Sequence, residues 1–486
     1  MYNFNFLING EIVTSSDNQR IDVLCPVTNE VIGTIAKGTE EDAHKALVAA
    51  DKAKVAWADL PVKDRAYYVN ELADICLEHK EELAHILSLE HGKIISEARG
   101  EVDGTIRFFR YAAENAYRIE GEVIPSDFHH ETGMIERVPY GVTVGLLAWN
   151  FPLALTGRKV GNALATGNTM VIKPPTETPL TVMYFGELVA KSDLPKGVLN
   201  FISGPGRTVG NTLVSDPLTK LVTLTGSTGA GRQLCRAAAE NITVLHLELG
   251  GKAPFMVMDD ANIDKAVDAA IVSKFSNCGQ ICTCNERMYI HEKVYDEFKS
   301  KFIAKCKQLT VGDSFDETVS MGPKVNIPEV KKLDDLLATS LKQGGKLIYD
   351  GETESYVADL KKQYPNGNWY FPKVVEVTDN ANILMHEETF GPIIPMMKIS
   401  SFEQALECAN DCDYGLSSYI FTNNYKNIMT ITRKLDFGEV YVNREHGELI
   451  NGFHNGFNLS GVGGEDGKHG LMSYLQKKAI YLNYEI

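Results

Sequence analysis

Apolar positions recur at helical spacing in the first third of the chain. They do so over residues 40–57 and 65–87, after a short polar start that is typical of a hairpin. Thr39, followed three residues later by Asp42, supplies the side chains with which a helix start caps itself. The pattern therefore predicts a largely helical opening.

From residue 142 onward, short apolar runs alternate with helical stretches, and punctuating residues mark the ends of these elements. Gly167 is expected to end a helix, Pro179 to begin the next, and Gly197 to precede a strand. Strand–helix–strand units of this kind build a parallel sheet with helices on its faces. The runs that predict strands are 142–148, 169–173, 198–203, 221–225 and 244–249.

A second α/β stretch covers residues 253–443, with strand-like runs at 255–258, 288–291 and 419–422. The fold class expected from the whole pattern is therefore α/β, with two sheets in separate substructures.

Two further segments have a β-leaning, alternating pattern that does not continue their neighbours. Residues 121–138 are polar, and the tail from residue 474 alternates apolar Ile480, Leu482 and Tyr484 with polar residues. We expect these segments to form paired edge strands that bridge subunits, which predicts a homo-oligomer, either a dimer or a tetramer.

Composition and charge exclude several classes of function. The chain has 486 residues, 44% of them hydrophobic, and its formal net charge of −16 argues against nucleic acid as a partner. The sequence contains no apolar run of about 18 residues and no signal-peptide pattern, so we expect a cytoplasmic protein without a membrane partner. Nine cysteines, scattered without a disulfide framework, predict reduced thiols.

Two glycine-rich segments, 204–206 and 225–229, each lie between a predicted strand and a predicted helix. Neither matches the spacing of the Rossmann fingerprint. Backbone N–H groups at such a position favour phosphate, but an ordinary tight turn explains either segment equally well. Both interpretations stay open on spacing alone.

Cys282, in the run Asn-Cys-Gly-Gln-Ile-Cys at 277–282, is a candidate nucleophile. A lone cysteine is more often an inert buried thiol, but Glu248 and Asn150 each follow a predicted strand and complete a set for acyl transfer. Glu248, between two leucines, is expected to have a raised pKa and to act as general base. Asn150 is expected to stabilise an oxyanion, although it could instead cap the helix that begins at Pro152.

Cys278 and Cys284 flank the candidate nucleophile, which raises the question of a metal site or a redox pair. No histidine or fourth cysteine lies near them in the sequence, so we predict no metal. Reversible disulfide protection of Cys282 is the better explanation of the flanking thiols.

These motifs give the whole chain a resemblance to the aldehyde dehydrogenase family. The motifs that carry it are WNFP at 149–152, Lys173-Pro174, Gly226-Ser227-Thr228, LELGG at 247–251, GQIC at 279–282, ETFGP at 388–392, Asn443 and the run at 468–471. The resemblance implies a Rossmann-type cofactor domain (1–120 and 139–250), an α/β catalytic domain (251–445) and a small β oligomerisation element (121–138 and 465–486).

The resemblance also implies a mechanism with NAD as cofactor. Cys282 adds to an aldehyde, Asn150 and the Cys282 N–H hold the oxyanion, hydride leaves for the nicotinamide, and Glu248 activates the water that hydrolyses the thioester. Glu248 also distinguishes this chain from the branch of the family that transfers the acyl group to coenzyme A. The residues expected to bind the cofactor are Trp149, Lys173, Thr176, Gly206, Gly210, Ser227, Glu388 and Phe390.

Departures from the common family pattern indicate the substrate and the cofactor preference. Arg158, Glu448 and His454 resemble the lactaldehyde and glycolaldehyde dehydrogenase subgroup, so we expect them to bind the hydroxyl of a small 2-hydroxyaldehyde. An Arg158–Glu448 ion pair that only shapes the pocket is the plainer alternative. Thr176 stands where the family's NAD-favouring glutamate usually lies, which predicts tolerance of NADP.

Two other functions remain as alternatives. A semialdehyde dehydrogenase would use Arg158 to hold a substrate carboxylate. A non-catalytic homologue would keep the fold for a structural role, although Cys282, Glu248 and Asn150 are all present.

Overall fold

The computed structural model describes residues 1–485 and shows the expected α/β architecture. Its strands are β1 Tyr2–Phe4, β2 Phe6–Ile8, β3 Glu11–Val13, β4 Arg20–Leu24, β5 Val31–Ala36, β6 Glu122–Pro125, β7 Glu131–Pro139, β8 Val142–Leu146, β9 Thr169–Lys173, β10 Leu199–Phe201, β11 Leu221–Thr225, β12 Val244–Glu248, β13 Ala253–Val257, β14 Asn285–His291, β15 Lys346–Asp350, β16 Lys373–Val377, β17 Ile393–Ile399, β18 Tyr414–Gly415, β19 Ser417–Phe421, β20 Glu439–Val442, β21 Phe457–Asn458, β22 Gly461–Val462 and β23 Leu475–Asn483. Its α-helices are α1 Glu40–Ala58, α2 Val62–Glu78, α3 Lys80–His91, α4 Ile95–Asn115, α5 Pro152–Ala165, α6 Leu180–Val189, α7 Asn211–Ser215, α8 Thr228–Ala238, α9 Ile263–Phe275, α10 Tyr295–Cys306, α11 Ile327–Lys342, α12 Val357–Gln363, α13 Ile383–His386, α14 Phe402–Asn410, α15 Tyr425–Lys434 and α16 Gly467–Met472.

The first large sheet has the strand order β22-β12-β11-β8-β9-β10-β2-β3. Its five central strands, β12 to β10 in this order, are parallel and almost wholly buried. The chain builds β8, β9 and β10 outward in one direction and then crosses back to place β11 and β12 on the other side of β8. Such a reversal leaves a crevice at the carboxyl ends of the strands, where α/β sheets bind ligands.

The second large sheet has the order β15-β16-β17-β14-β13-β19-β20 and is parallel except at β15. Helices α9 and α10 pack beside β14 and bury an aromatic and aliphatic cluster on one face. A second cluster, under α11, α13 and α14, fills the other face. Burial on both faces explains why its strands are continuous apolar runs rather than alternating ones.

The predicted edge segments pair with each other. β23 is antiparallel to β7 over nine register positions, from Leu475 opposite Pro139 to Asn483 opposite Glu131, and β6 completes a three-stranded sheet. The residues just before this strand belong elsewhere, since β22 pairs with β12 and α16 contacts α4 and α5. Within the predicted 465–486 element, only the final strand therefore lies in the small sheet.

Most predicted elements are confirmed, and the differences have physical causes. Thr39 and Asp42 form the predicted capping box of α1, and the predicted strands 169–173 and 221–225 match β9 and β11. The predicted helix 65–87 is wrong in being continuous, because His79 leaves helical geometry and separates α2 from α3. The predicted strand at 288 begins three residues earlier, at Asn285, since ion pairs allow the intervening charged residues to be buried. None of the helices in residues 1–485 is long and apolar enough to cross a lipid bilayer.

Candidate active site

The carboxyl ends of the first sheet's strands bring several predicted site residues to one edge. Lys173 ends β9, Glu248 ends β12, and Asn150 follows β8 by four residues. Cys282 approaches this edge from the second sheet, on the loop between α9 and β14. The candidate site therefore lies between the two sheets, at the crevice that the strand order creates.

The loop that carries Cys282 has unusual backbone geometry. Asn277, Cys278 and Gly279 have φ of 51°, 57° and 69°, so three consecutive residues occupy the left-handed region. A Cβ on Gly279 would lie 2.6 Å from the backbone of Gly391, which excludes any larger residue there. Left-handed geometry costs about 1–2 kcal/mol for a residue such as Cys278, and the surrounding hydrogen bonds hold it in place.

Several hydrogen bonds fix this loop. Glu97 accepts a hydrogen bond from the Asn277 N–H at 2.7 Å, and the Gln280 side chain accepts from the Val325 N–H at 3.1 Å. The carbonyl of Thr283 accepts from the hydroxyls of Ser417 and Tyr419. The partly buried Cys282 side chain is thus presented by a rigid backbone.

The two glycines of the LELGG motif allow close packing beneath the site. A Cβ on Gly251 would lie 2.5 Å from the carbonyl oxygen of Cys282, and a Cβ on Gly250 would lie 2.7 Å from a carboxylate oxygen of Glu388. The Gly251 N–H also donates to Glu388 at 2.7 Å. Glycine at 251 is therefore a steric requirement of the backbone packing, and glycine at 250 leaves room for the Glu388 carboxylate in its present position.

Asn150 is held against the loop rather than at a helix cap. Its Nδ2 donates to the carbonyl of Gln280 at 3.0 Å, in the loop that carries Cys282, and the amide has a second N–H to donate. The alternative that Asn150 caps α5 is wrong, because the cap position is Phe151 and its first-turn N–H groups find a different acceptor. That acceptor is Glu101, which takes hydrogen bonds from the N–H groups of Leu153 and Ala154 at 2.9 and 3.1 Å.

Lys93 completes this arrangement and was not predicted. It is fully buried, forms an ion pair with Glu101 at 2.6 Å and donates to the carbonyl of Asn150 at 2.7 Å. Lys93 lies in the short loop between α3 and α4, and Glu101 lies on α4. A lysine and a glutamate eight residues apart are the one sequence signal that could have found the pair.

Glu248 has the environment expected for a general base. It is 2% exposed, and neither carboxylate oxygen accepts a hydrogen bond from any residue in 1–485. Burial raises its pKa to about 8, with Glu465 adding to the rise, whereas His454, Arg158 and Lys159 act in the opposite direction. A carboxyl with a raised pKa and no hydrogen-bond donor can accept a proton from water near neutral pH.

His454 lies between two carboxylates and the thiol. Its Nδ1 is 2.8 Å from Glu439 Oε1, and its Nε2 is 3.5 Å from Glu248 Oε2. Burial alone would lower the pKa of His454, but Glu439, Glu248 and Cys282 outweigh burial and raise it well above its ordinary value. For Cys282, burial raises the pKa of the thiol, and His454 opposes that rise.

Glu448 lies near this histidine, and burial, which raises the pKa of its carboxyl, is outweighed by His454 and Arg158, so that the pKa is lowered. One carboxylate oxygen each of Glu439 and Glu448 and one ring nitrogen of His454, all atoms that can bind a metal ion, lie within 4.8 Å of one another. The hydrogen bond between His454 and Glu439 already explains this grouping, so it gives no reason to assign a metal.

Arg158 forms its ion pair with Asp466 and not with Glu448. Its Nη2 lies 2.8 Å from Asp466 Oδ2 and its Nη1 lies 3.9 Å from Glu465 Oε2, so the suggested Arg158–Glu448 pair is wrong. Glu465 also pairs with the buried Lys159 and accepts from Thr223 at 2.7 Å. The positive charge of the guanidinium is therefore neutralised by Glu465 and Asp466, which follow β22 in the chain.

The predicted nicotinamide-side residues form one cluster. Phe390, with φ of 53°, packs edge-on against Trp149 at a ring distance of 5.2 Å, and Lys324 donates to the Phe390 carbonyl at 2.5 Å. Glu388 lies beside them, and burial raises the pKa of its carboxyl to about 7.

A buried charge network anchors the segment that carries Glu388 and Phe390. Glu286 pairs with Lys252 at 2.8 Å and with Lys274 at 2.9 Å, and it accepts from the N–H groups of Thr389 and Phe390. Sequence patterns missed Glu286, which lies between Asn285 and Arg287 in the polar first part of β14. Its role is to position the neighbouring segment beside Cys282.

The predicted phosphate-side residues lie at the ends of β9, β10 and β11. Lys173 is 8% exposed, and burial lowers the pKa of its ammonium to about 8, against an opposing effect of Glu177. Ser227 caps α8 by accepting from the Ala230 N–H at 3.2 Å. A Cβ on Gly206 would meet no atom within 4 Å, and one on Gly210 would meet only Lys173, at 3.9 Å. Thr176 is partly exposed, next to the exposed Glu177.

Cys278 and Cys284 are buried and poorly suited to redox chemistry. Burial raises the pKa of Cys278 to about 12 and also raises that of Cys284, whose thiol contacts Lys274, Glu286 and the Gly279 carbonyl. The pKa of Cys282 is raised as well, but Cys282 is partly exposed whereas both flanking thiols are buried away from an oxidant, which counts against reversible disulfide protection of Cys282.

Comparisons with known proteins agree with this geometry. The model of the aldehyde dehydrogenase family matches residues 12–480. The chain is 42% identical to 3,6-anhydro-alpha-L-galactose dehydrogenase of Vibrio sp. (strain EJY3), over 100% of both chains, and 40% identical to lactaldehyde dehydrogenase of Escherichia coli (strain K12), over 98% of both. It is 38% identical to D-glyceraldehyde dehydrogenase (NADP(+)) of Thermoplasma acidophilum, over 98% of this chain and 96% of that one. A solved structure of 3,6-anhydro-L-galactose dehydrogenase with NADP has a TM-score of 0.95 and 43% identity, over 99% of this chain and 100% of that chain.

Proposed function

The chain belongs to the aldehyde dehydrogenase family, and from this premise we propose that it oxidises a small 2-hydroxyaldehyde, such as lactaldehyde or glycolaldehyde, to the carboxylic acid with NAD(P). The observation that carries the substrate class is the polar group formed by Arg158, Glu448 and His454 around the Cys282 thiol. Buried polar groups select substrates that hydrogen-bond to them and reject those that do not.

The residues present fit the cofactor. Open space around Gly206 and beside Gly210 follows the carboxyl end of β10, with Lys173 at its border, and α8 begins after β11 on the same edge of the sheet. Lys173, Ser227 and Thr176 would hold the adenosine and phosphate end, and Trp149, Glu388 and Phe390 the nicotinamide end. Bound NAD(P) supplies the hydride acceptor for the reaction.

The side chains of this chain perform the remaining steps. The Cys282 sulfur adds to the aldehyde carbon, and the free N–H of Asn150 with the Cys282 N–H stabilises the oxyanion. Glu248 then accepts a proton from a water molecule, whose oxygen attacks the thioester and releases the acid. Lys93 and Glu101 hold Asn150 and α5 in place during both steps.

The charge of the pocket favours a neutral substrate over a semialdehyde that carries a carboxylate. Arg158 is already paired with Asp466 and Glu465, so it is not a free cation for an anionic substrate. The carboxylates that surround the thiol and this arginine are Glu248, Glu439, Glu448, Glu465 and Asp466. An added carboxylate would enter a region that is already rich in negative charge.

The names of relatives support the same class. Lactaldehyde and glyceraldehyde, named for the relatives at 40% and 38% identity, are both 2-hydroxyaldehydes. The relative at 42% is named for a larger hydroxylated aldehyde, which extends the range of substrates worth testing. A succinate-semialdehyde dehydrogenase at 36% identity keeps that alternative as an outcome of the experiment below.

Subunit assembly is also a proposal. The three-stranded sheet of β6, β7 and β23 exposes Val123, Tyr481 and Leu482, which are 73%, 70% and 47% exposed. Exposed apolar side chains on open strands favour association with a second copy, so we propose a homo-oligomer built through 121–138 and the final strand.

The division of the chain into domains follows the same proposal. Residues 1–120 and 139–250 form the domain that binds the cofactor, and residues 251–445 form the domain that carries the nucleophile.

A substrate panel tests the proposed function. Lactaldehyde, glycolaldehyde, propionaldehyde and succinate semialdehyde are each assayed with NAD and with NADP, by absorbance of the reduced cofactor. We expect the highest kcat/KM with a 2-hydroxyaldehyde. A higher value with succinate semialdehyde supports the alternative activity, and no reduced cofactor with any aldehyde supports a non-catalytic protein.

A further inference from the structure

The ring of His454 has a carboxylate at each of its two nitrogens. Glu439 Oε1 lies 2.8 Å from Nδ1, and Glu248 Oε2 lies 3.5 Å from Nε2 on the other side. The side chains of His454 and Glu248 are each 3% exposed and that of Glu439 is 10% exposed. Buried charges are stable only beside charges of opposite sign, so the three side chains have to be considered together.

Glu439 and the main chain fix the direction of this ring. The Tyr441 hydroxyl donates to Glu439 Oε2 at 2.8 Å, so both carboxylate oxygens of Glu439 act as acceptors, and its Oε1 selects an N–H at Nδ1 of the ring. The His454 N–H donates to the Glu465 carbonyl at 2.9 Å, and the His454 carbonyl accepts from the Glu465 N–H at 2.7 Å. The Nε2 side of the ring is therefore held toward Glu248.

We propose that His454 is a positioning residue for the general base, a cation held by Glu439 that faces the Glu248 carboxylate and favours its ionised form. The role rests on the proposed hydrolysis of the thioester by Glu248, and it is separate from a contact between His454 and a substrate hydroxyl. Glu439 acts through His454 and is a second positioning residue.

A neutral imidazole does not suit this position. With its one proton on Nδ1 for Glu439, it would turn the lone pair of Nε2 toward the Glu248 carboxylate, and the two would repel each other. An imidazolium instead presents an N–H to each carboxylate. The Nε2–Oε2 distance of 3.5 Å is that of an ion pair rather than of a short hydrogen bond, and charges at this distance attract strongly in a site shielded from water.

His454 keeps its own proton while the thioester is hydrolysed. A water O–H bond breaks, its proton bonds to the Glu248 carboxylate, and the oxygen attacks the thioester carbon. The C–S bond then breaks, and the Cys282 sulfur takes up the proton. The positive ring therefore acts only by keeping Glu248 ready to accept that proton.

The surrounding charges agree with this role. Burial raises the pKa of Glu248 to about 8, and His454 is the strongest of the charges that oppose this rise, so without the ring the base would ionise only at higher pH. The other charged groups around Glu248 are Glu465, Arg158 and Lys159. The ionisable groups that face the ring are Glu439, Glu248, Cys282, Glu448 and Asp466. Most of them are acids, which keeps the proton on the ring.

The experiment measures hydrolysis of a propionyl-enzyme against pH, without cofactor. p-Nitrophenyl propionate transfers its propionyl group to the Cys282 sulfur and releases nitrophenol. Acid-quenched samples are digested with pepsin at low pH, and mass spectrometry of the peptide that contains Cys282 follows the formation and decay of the thioester. The propionyl group has no hydroxyl, so loss of a contact between His454 and a substrate hydroxyl does not affect the decay.

Wild type is compared with His454→Gln, Glu439→Gln and Glu439→Asp. Glu445→Gln is the matched control, since its exposed carboxyl lies between Glu439 and His454 in the chain but outside this group. Glu248→Gln shows the decay that remains without the base.

In wild type the hydrolysis rate should rise with pH through about 8. In His454→Gln this rise should move to higher pH by about one unit or more, because an opposite charge at this distance shifts a pKa by about 1–3. The rate at pH 7 should therefore fall about tenfold or more, and the two profiles should converge at high pH. Glu439→Gln should give a smaller shift in the same direction, Glu439→Asp should restore part of it, and Glu445→Gln should match wild type.

Equal profiles in wild type and His454→Gln would overturn the proposal, and so would an equal loss of rate at every pH, which a purely structural role would give. If circular dichroism shows that His454→Gln does not fold, Glu439→Gln decides, because it keeps the ring and removes only the charge of its partner. A wild-type profile in Glu248→Gln would instead show that the proposed hydrolytic base is wrong. A preference for aldehydes without a hydroxyl would leave all these rates unchanged.

Discussion

Asp466 Oδ2 lies 2.8 Å from Arg158 Nη2, so an acid near the end of the chain neutralises the arginine of the candidate substrate pocket. Asp466 holds a left-handed backbone, with φ of 67°, and burial raises its pKa to about 6. This pair determines which charge the pocket offers to a substrate.

Asp466→Asn should shift the substrate preference toward anionic aldehydes. Removal of the counter-charge frees one side of Arg158, and a hydrogen bond to a charged group contributes about 1.5–3 kcal/mol, so kcat/KM for succinate semialdehyde should rise about tenfold relative to lactaldehyde. The ratio of kcat/KM for these two aldehydes measures the effect. An unchanged ratio would show that Arg158 does not reach the substrate.

Arg158→Leu should weaken the preference for a substrate hydroxyl. If Arg158 helps to bind the 2-hydroxyl, the ratio of kcat/KM for lactaldehyde over propionaldehyde should fall about tenfold. The single variant leaves Asp466 buried without a partner, so the double variant with Asp466→Asn is the stability control. A constant ratio in both variants would contradict the substrate role.

Turnover should increase with pH through the pKa of Glu248, at about 8. Below this pKa the carboxyl is protonated and cannot accept a proton from water, so hydrolysis of the thioester slows as pH falls. His454, Glu465, Arg158 and Lys159 are the charged groups that set this value together with burial. Profiles of kcat against pH, with acid quench to detect the acyl-enzyme, test the expectation.

Glu248→Gln provides the matching variant. It should lower kcat by about 10²–10⁴-fold, remove the rise near pH 8 and leave a first-turnover burst of reduced cofactor. A burst shows that addition and hydride transfer still occur while hydrolysis does not. Loss of the burst together with turnover would place Glu248 in the first half of the reaction instead.

Lys93→Met should destabilise the fold and disturb Asn150. Removal of one partner from a buried pair leaves Glu101 uncompensated, which costs about 3–5 kcal/mol of the free energy of unfolding. Lys80→Met, in the largely exposed pair with Asp103, is the matched control and should change stability by about 1 kcal/mol or less. Urea unfolding measures both variants, and equal losses would contradict the interpretation.

Thr176→Glu should restrict the enzyme to NAD. A carboxylate at this position would repel the 2′-phosphate of NADP, so kcat/KM with NADP should fall about tenfold or more while the value with NAD changes little. Equal-concentration assays with the two cofactors give the ratio. If wild type has no turnover with NADP, the tolerance attributed to Thr176 is wrong.

The sequence alone was sufficient for the parts of the fold that depend on local periodicity. β9 and β11 were predicted to the residue, because buried parallel strands are continuous apolar runs between turn residues. β14 was predicted too short, since Glu286 is buried only by virtue of lysines that approach it in three dimensions. The pattern of apolar and polar residues along the sequence does not show which lysines will lie next to Glu286 after folding.

In the site, too, the sequence indicated residues near strand ends but not contacts between residues that are distant in the chain. Cys282, Glu248 and Asn150 could be proposed from their positions beside strands, because loops that follow parallel strands share one edge. The partner of Arg158 could not, since Asp466 reaches it only after the chain has returned past β22 to pack α16 on α5. Glu101 and Glu439 were missed for the same reason, as each acts on a residue that is distant in sequence.

The adjacent glycines 250 and 251 have a consequence for changing this enzyme in the laboratory. One of them abuts the carboxylate of Glu388 and the other the carbonyl of Cys282, so any side chain added there would displace the nucleophile or its neighbour. Libraries that aim at new substrates should therefore keep this dipeptide fixed. Substitutions that aim at the substrate belong instead at Arg158, Glu448 and His454, and a change at Arg158 has to preserve the charge balance with Asp466.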